Sequence, residues 1–159
     1  IAPLHHRHSR YYYGKMKKAT TLHFYSPDTS DEANVWLAGG GISAGFPSPA
    51  DDFKEVRISL DSAVVKNKAA TFYARVAGQS MVGAGLDDGD LLVIDRSLEP
   101  TDGKIAVCFV DGEFTVKRLK VDKDCVWLMP ENEHYKPLQV TEDNELMIWG
   151  IVTHVLKAV

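Results

Sequence analysis

Hydrophobic patterning divides the chain near residue 50. Beyond Pro49, short apolar runs alternate with turn signals, and six of them predict strands: 71–77 (TFYARVA), 90–94 (DLLVI), 105–110 (IAVCFV), 113–119 (EFTVKRL), 126–129 (VWLM) and 146–155 (LMIWGIVTHV). Their β-branched and aromatic content points to strands rather than helices. Asp88-Gly89 and Asp111-Gly112, each lying between neighbouring runs, predict hairpins in a mostly antiparallel sheet. In this half only SAVVK, capped by Asp61 and ending at Lys66, predicts a helix, and it is short.

Before Pro49 the pattern breaks down. Residues 16–49 hold Pro27, Pro47, Pro49 and the run Gly39-Gly40-Gly41, with polar residues from Ser26 to Asn34. Such a stretch predicts a flexible arm with one short turn around Glu32 to Leu37. The expected fold class is therefore mainly β: one domain over 50–159 behind an N-terminal arm over 16–49. Residues 1–15 carry Arg7, Arg10 and Lys15, no acid, three histidines and three consecutive tyrosines, and Met16 follows directly. This segment reads as a leader ahead of a natural start at Met16, so no function is placed on His5, His6 or His8; a weak metal-binding tract is the competing reading.

Charge narrows the function classes. The 159 residues have a net charge of −4, and residues 16–159 carry −7 once the leader is set aside. That balance argues against a broad basic surface for duplex DNA, and no direct duplex binding is expected, because such affinity scales with the phosphates neutralised. No apolar run approaches the ~20 residues of a spanning helix, and no signal peptide is evident, so a cytoplasmic protein with no membrane contact is expected. Cys108 and Cys125 each sit alone in an apolar run, which favours two buried strand thiols over a zinc site or a disulfide. No metal and no cofactor are expected.

Two residues have the chemistry for covalent catalysis. Ser80, in Gly78-Gln79-Ser80-Met81, follows the strand TFYARVA, where a hydroxyl and nearby backbone N–H groups can face a carbonyl in a cleft. Taken alone this is a weak signal, since most serines at strand ends are turn residues and Val82 breaks the lipase-type G-x-S-x-G pattern. Lys117 shares a strand face with Thr115, opposite Phe114 and Val116, and on its own reads as a solvated strand lysine. An ordinary lysine is neutral only about once in 2,500 molecules at pH 7, so a Ser/Lys pair works only where burial lowers the lysine pKa. The rival bases His23, His134 and His154 have no evident carboxylate orienter, and Asp87, Asp88 and Asp90 lack calcium-loop spacing.

Several segments taken together carry a resemblance. Ala44-Gly45-Phe46-Pro47-Ser48-Pro49-Ala50, Gly78-Gln79-Ser80-Met81, Asp88-Gly89-Asp90-Leu91-Leu92, Asp111-Gly112-Glu113-Phe114-Thr115-Val116-Lys117 and Trp149-Gly150-Ile151-Val152-Thr153-His154-Val155 occur in that order over roughly three quarters of the chain. The chain resembles the UmuD-like SOS mutagenesis proteins among the LexA-like self-cleaving serine peptidases, the S24 group. The resemblance implies a LexA-like peptidase fold, Ser80 as nucleophile, Lys117 as general base, and Ala44-Gly45 as the bond cut. It also assigns Gly78, Ser80 and Met81 to backbone and oxyanion support. Small side chains at Ala44 and Gly45 suit an extended segment entering a narrow cleft.

By the same resemblance the protein is a homodimer whose self-cleavage is assisted by the RecA filament on single-stranded DNA. The shortened subunit then serves a UmuC-like Y-family polymerase in translesion synthesis. Residues 21–26 (TLHFYS) loosely resemble the segment with which such arms contact the sliding clamp. Two other readings stay open: the self-cleaving half of a LexA-like or phage repressor, and a polymerase-binding module whose Ser/Lys pair is idle. A signal-peptidase relative is disfavoured by the lack of an anchor.

Overall fold

The computed structural model describes residues 24–27, 34–37 and 56–159. The described strands are β1 (Phe24–Tyr25), β2 (Asn34–Leu37), β3 (Val56–Ser59), β4 (Thr71–Arg75), β5 (Leu91–Asp95), β6 (Ile105–Val110), β7 (Glu113–Val121), β8 (Val126–Met129), β9 (Leu138–Val140) and β10 (Leu146–Leu156). One short helix, α1 (Leu60–Val64), follows β3. The main sheet runs β1-β4-β5-β10-β6-β7-β8-β9, and β2 and β3 form a separate pair. Every pairing is antiparallel, so the fold is mainly β as expected.

The β6–β7 hairpin forms where Asp111-Gly112 predicts it. Both residues have positive φ, 48° and 90°, and Val110 pairs with Glu113 across the turn. That backbone matches the twist of the flanking strands, which is why two-residue hairpins favour it. Asp111 also braces the start of β10, its carboxylate accepting from the Glu145 N–H at 3.0 Å and from Asn144 Nδ2 at 2.7 Å.

Asp88-Gly89 plays a different part from the hairpin tip predicted. Strands β4 and β5 pair, but residues 76–90 join them as a long loop, and Asp88-Gly89 lies on its returning leg. Val76 N–H donates to the Asp90 carbonyl at 2.9 Å, Gly89 N–H donates to the Val76 carbonyl at 2.9 Å, and Gly78 N–H donates to Asp88 Oδ1 at 2.7 Å. These bonds close the loop at its base, and β4 ends at Arg75 rather than Ala77 for the same reason.

Three further expectations need correction. The segment read as a turn around Glu32 to Leu37 contains β2, whose partner β3 lies about twenty residues away, beyond any local window. Ser59, not Asp61, occupies the N-cap of α1, and the helix stops at Val64 because Val65 is already extended. Asp61 instead sits in the first turn, where its carboxylate suits the helix dipole and accepts from Tyr73 OH at 2.9 Å. Cys108 is buried as expected, but Cys125, just before β8, is only half-buried, and both thiols are free.

Among the described residues two apolar clusters form the core. Ala74, Met81, Leu86, Leu92, Ile94 and Val107 make one, on the side of β4, β5 and the 76–90 loop. Ala106, Cys108, Leu119, Leu128 and Ile151 make the other, under β6, β7 and β8. From the arm, Phe24 packs its ring 4.1 Å from Trp149 and 4.9 Å from Phe114, tying β1 to the first cluster. Central strand β10 bulges near Gly150, where an added Cβ would lie 2.5 Å from Ile94 Cγ2. Overpacking a core costs about 1–3 kcal/mol, so Gly150→Ala is expected to lower the denaturation midpoint by that amount, read from urea unfolding.

Candidate active site

Ser80 stands on the 76–90 loop just before a short 3-10 turn, Val82–Ala84, and Lys117 stands in the middle of β7. The sheet brings them together: Lys117 Nζ lies 2.9 Å from Ser80 Oγ. It is also 2.7 Å from Thr115 Oγ1 and 2.9 Å from the Val116 carbonyl oxygen. Thr115 reaches the amine because residues two apart on a strand share a face. A neutral amine has two hydrogens and one lone pair. The Val116 carbonyl can only accept, so it takes one hydrogen; with Thr115 Oγ1 accepting the other, the lone pair is free to take the Ser80 hydroxyl proton.

The surroundings favour that neutral form. Lys117 is half-buried, and burial lowers its pKa from the ordinary 10.5. The opposing influence is Cys108, which would hold the ammonium only as a thiolate. Burial pushes the Cys108 thiol itself up to about 12, so at neutral pH it carries no charge to offer. Among the described residues no carboxylate pairs with Lys117.

A cleft of about 220 Å³ opens over the pair. Val76, Met81, Leu86 and Val116 give it an apolar floor, and Phe114 and Tyr135 contribute walls. Among the described residues no acceptor takes the backbone N–H of Ser80 or Met81. Gly78 differs: its N–H is already given to Asp88, so its contribution is the turn at φ 91° that starts the loop. Ala44 and Gly45 lie outside the described residues.

The remaining candidates are elsewhere. His134 and His154 are exposed and hydrogen-bond away from Ser80, the first through its backbone to Asn132 and the second beside Thr153. His23 lies outside the described residues, as do His5, His6 and His8. Asp87 and Asp90 pair with Lys157 near the C-terminal end of the chain, and Asp90 Oδ2 accepts the Asp87 N–H at 2.8 Å. Among the described residues no cluster of His, Cys, Asp or Glu has the arrangement of a metal site, and no helix is long and apolar enough to cross a membrane. Sequence reasoning missed Glu131 and Asn132. They contact the Ser80 loop from about fifty residues away, with no local signal to announce it.

Comparison with known proteins gives this geometry a context. The sequence profile described as Peptidase S24-like matches residues 37–153. Protein MucA of Escherichia coli is 44% identical over 117 residues, covering 72% of this chain and 79% of MucA. Protein ImpA of Salmonella typhimurium is 37% identical over 140 residues, covering 87% of this chain and 94% of ImpA. A LexA repressor from Acidithiobacillus ferrooxidans is 40% identical over 121 residues, spanning 74% of this chain and 58% of the repressor. With a profile matched over most of its length and relatives of this kind, the chain belongs to the peptidase S24-like family of serine peptidases, among its UmuD-like SOS mutagenesis members.

Proposed function

We propose that Ser80 and Lys117 form a catalytic dyad that cuts the chain's own Ala44–Gly45 bond. The observation that carries this reading is the 2.9 Å contact between a half-buried amine and a loop hydroxyl, with no carboxylate among the described residues to keep the amine charged. Lys117 takes the Ser80 proton as Oγ bonds to the Ala44 carbonyl carbon, and the backbone N–H groups of Ser80 and Met81 meet the developing oxyanion. Collapse breaks the bond to the Gly45 nitrogen, which receives the proton from Lys117. Water then attacks the ester by the same route in reverse, and the products end in an Ala44 carboxylate and a Gly45 amine.

On this reading 50–159 is the peptidase domain, 16–49 the arm that supplies the substrate, and 1–15 a leader. Tethering explains how a small cleft suffices, because it raises the effective concentration of one bond. The protein acts as a homodimer in the cytoplasm. A RecA filament speeds the cut by favouring the docked arm, and the trimmed subunit serves a UmuC-like polymerase, with the sliding clamp as a further contact of residues 21–26. Incubation of the purified protein in alkaline buffer, followed by intact-mass analysis, is expected to give fragments ending at Ala44 and starting at Gly45. A chain that stays whole there and with an activated filament, or one cut elsewhere, contradicts the reading.

A further inference from the structure

The loop that carries Ser80 is long, and its own hydrogen bonds close its base, between residues 76–78 and 88–90, and the turn after Met81. The carbonyls of Gln79 and Ser80, by contrast, are held from outside, by residues 130–135 beyond β8. Glu131 N–H donates to the Ser80 carbonyl at 2.8 Å, and Gly83 N–H donates to the Glu131 carbonyl at 2.7 Å. Asn132 Nδ2 donates to the Gln79 carbonyl at 2.8 Å, while its Oδ1 accepts the His134 N–H at 3.0 Å, which fixes the direction of the amide. The two loops approach so closely that a Cβ on Gly83 would lie 2.6 Å from the Glu131 carbonyl oxygen.

Loop 130–135 is in turn tied to the strand of the base. Arg118 Nε donates to Glu131 Oε1, and Arg118 Nη1 donates to the Gly103 carbonyl at 2.7 Å. Arg118 directly follows Lys117, so neighbouring positions of β7 hold the base and, through Glu131, the backbone of the serine. Displacements of about 1 Å in a reacting group can cost on the order of 100-fold in rate, so a serine on a loop depends on whatever fixes its main chain.

We propose that Arg118, Glu131 and Asn132 are positioning residues for self-cleavage, fixing the main chain at residues 79–80 so that Ser80 Oγ stays against Lys117 Nζ. The inference rests on the Ser/Lys reading above. None of the three side chains contacts Ser80 Oγ or Lys117 Nζ, so they act on the placement of the serine and not on the proton transfer.

The test compares the full-length protein with Glu131→Ala, Asn132→Ala, Gly83→Ala and the conservative Glu131→Gln, which keeps an acceptor for Arg118. Self-cleavage is followed across alkaline pH, and amide hydrogen exchange is read at Gly83. Glu131→Ala, Asn132→Ala and Gly83→Ala are expected to lower the limiting rate roughly 10- to 100-fold without moving the midpoint of the pH profile. Glu131→Gln should stay within about threefold of the parent, because the acceptor oxygen remains. Glu131→Ala should also reduce protection of the Gly83 amide by about tenfold or more while Val107 in β6 keeps its own.

Folded variants that cut at the parental rate would overturn the proposal. So would a rate loss explained by a moved midpoint, or unchanged protection at Gly83. A parent protein that does not cut at all sinks the dyad and this proposal with it. Failure of the positioning role alone shows only in the variants, so the two results are distinguishable.

Discussion

Ser80→Ala and Lys117→Ala are each expected to abolish self-cleavage, lowering the alkaline rate by roughly 10³-fold or more. The two losses should be similar and should not multiply in the double variant, because a nucleophile and its base act as one unit. Lys117→Arg should be just as inactive, since a guanidinium stays protonated at any pH the protein survives. Lys117→Met separates chemistry from folding. It keeps an unbranched apolar side chain and removes an amine whose charged form the niche disfavours, so it should fold with a Tm at or above that of the parent. Fragment yield on a gel and a thermal melt on the same samples check both halves.

The second large effect is on pH. While Lys117 is mostly protonated, the reactive fraction, and with it the rate, should climb about tenfold per pH unit. It should level off once the amine is neutral, with a midpoint below the ordinary 10.5 because burial lowers the Lys117 pKa. Cys108 should not interfere in that range, its thiol being held neutral up to about 12. The same shift gives stability a definite sign. Between the folded pKa and the unfolded value, the unfolded chain binds more protons, so Lys117 adds stability as pH rises through that window. Below it both states are protonated and the penalty of the buried charge is fully present. Rate and urea midpoint measured over the same pH series test both directions.

What the sequence reveals follows the range of the interactions involved. Strands 105–110 and 126–129 and the Asp111-Gly112 turn are legible because local residues decide them. The shared face of Thr115 and Lys117 is legible for the same reason, from strand periodicity alone. The insertion of β10 between β5 and β6 is not, since it depends on pairings between segments far apart in the chain. Nor is the pairing of β2 with β3, or the return of the 76–90 loop, whose Asp-Gly signal looks the same at a hairpin tip and on a closing leg.

The same division runs through the site. Composition and spacing make Ser80 and Lys117 ordinary residues; only the ordered set of family-like segments singles them out together. The fold adds what no motif contains: two neutral oxygens besides Ser80 around one amine, a neighbouring thiol that burial keeps neutral at pH 7, and a second loop gripping the serine's backbone. Gly78 N–H is given to Asp88, which leaves that residue the turn at the start of the loop.

Direct titration of the Lys117 side-chain nitrogen by heteronuclear NMR, in the Ser80→Ala protein so that no cleavage intervenes, reaches the heart of the account. Its protonation midpoint should fall clearly below the values of the exposed lysines in the same spectrum. A midpoint equal to theirs, or above, would mean that the niche does not favour the free amine, and Lys117 would not be the base.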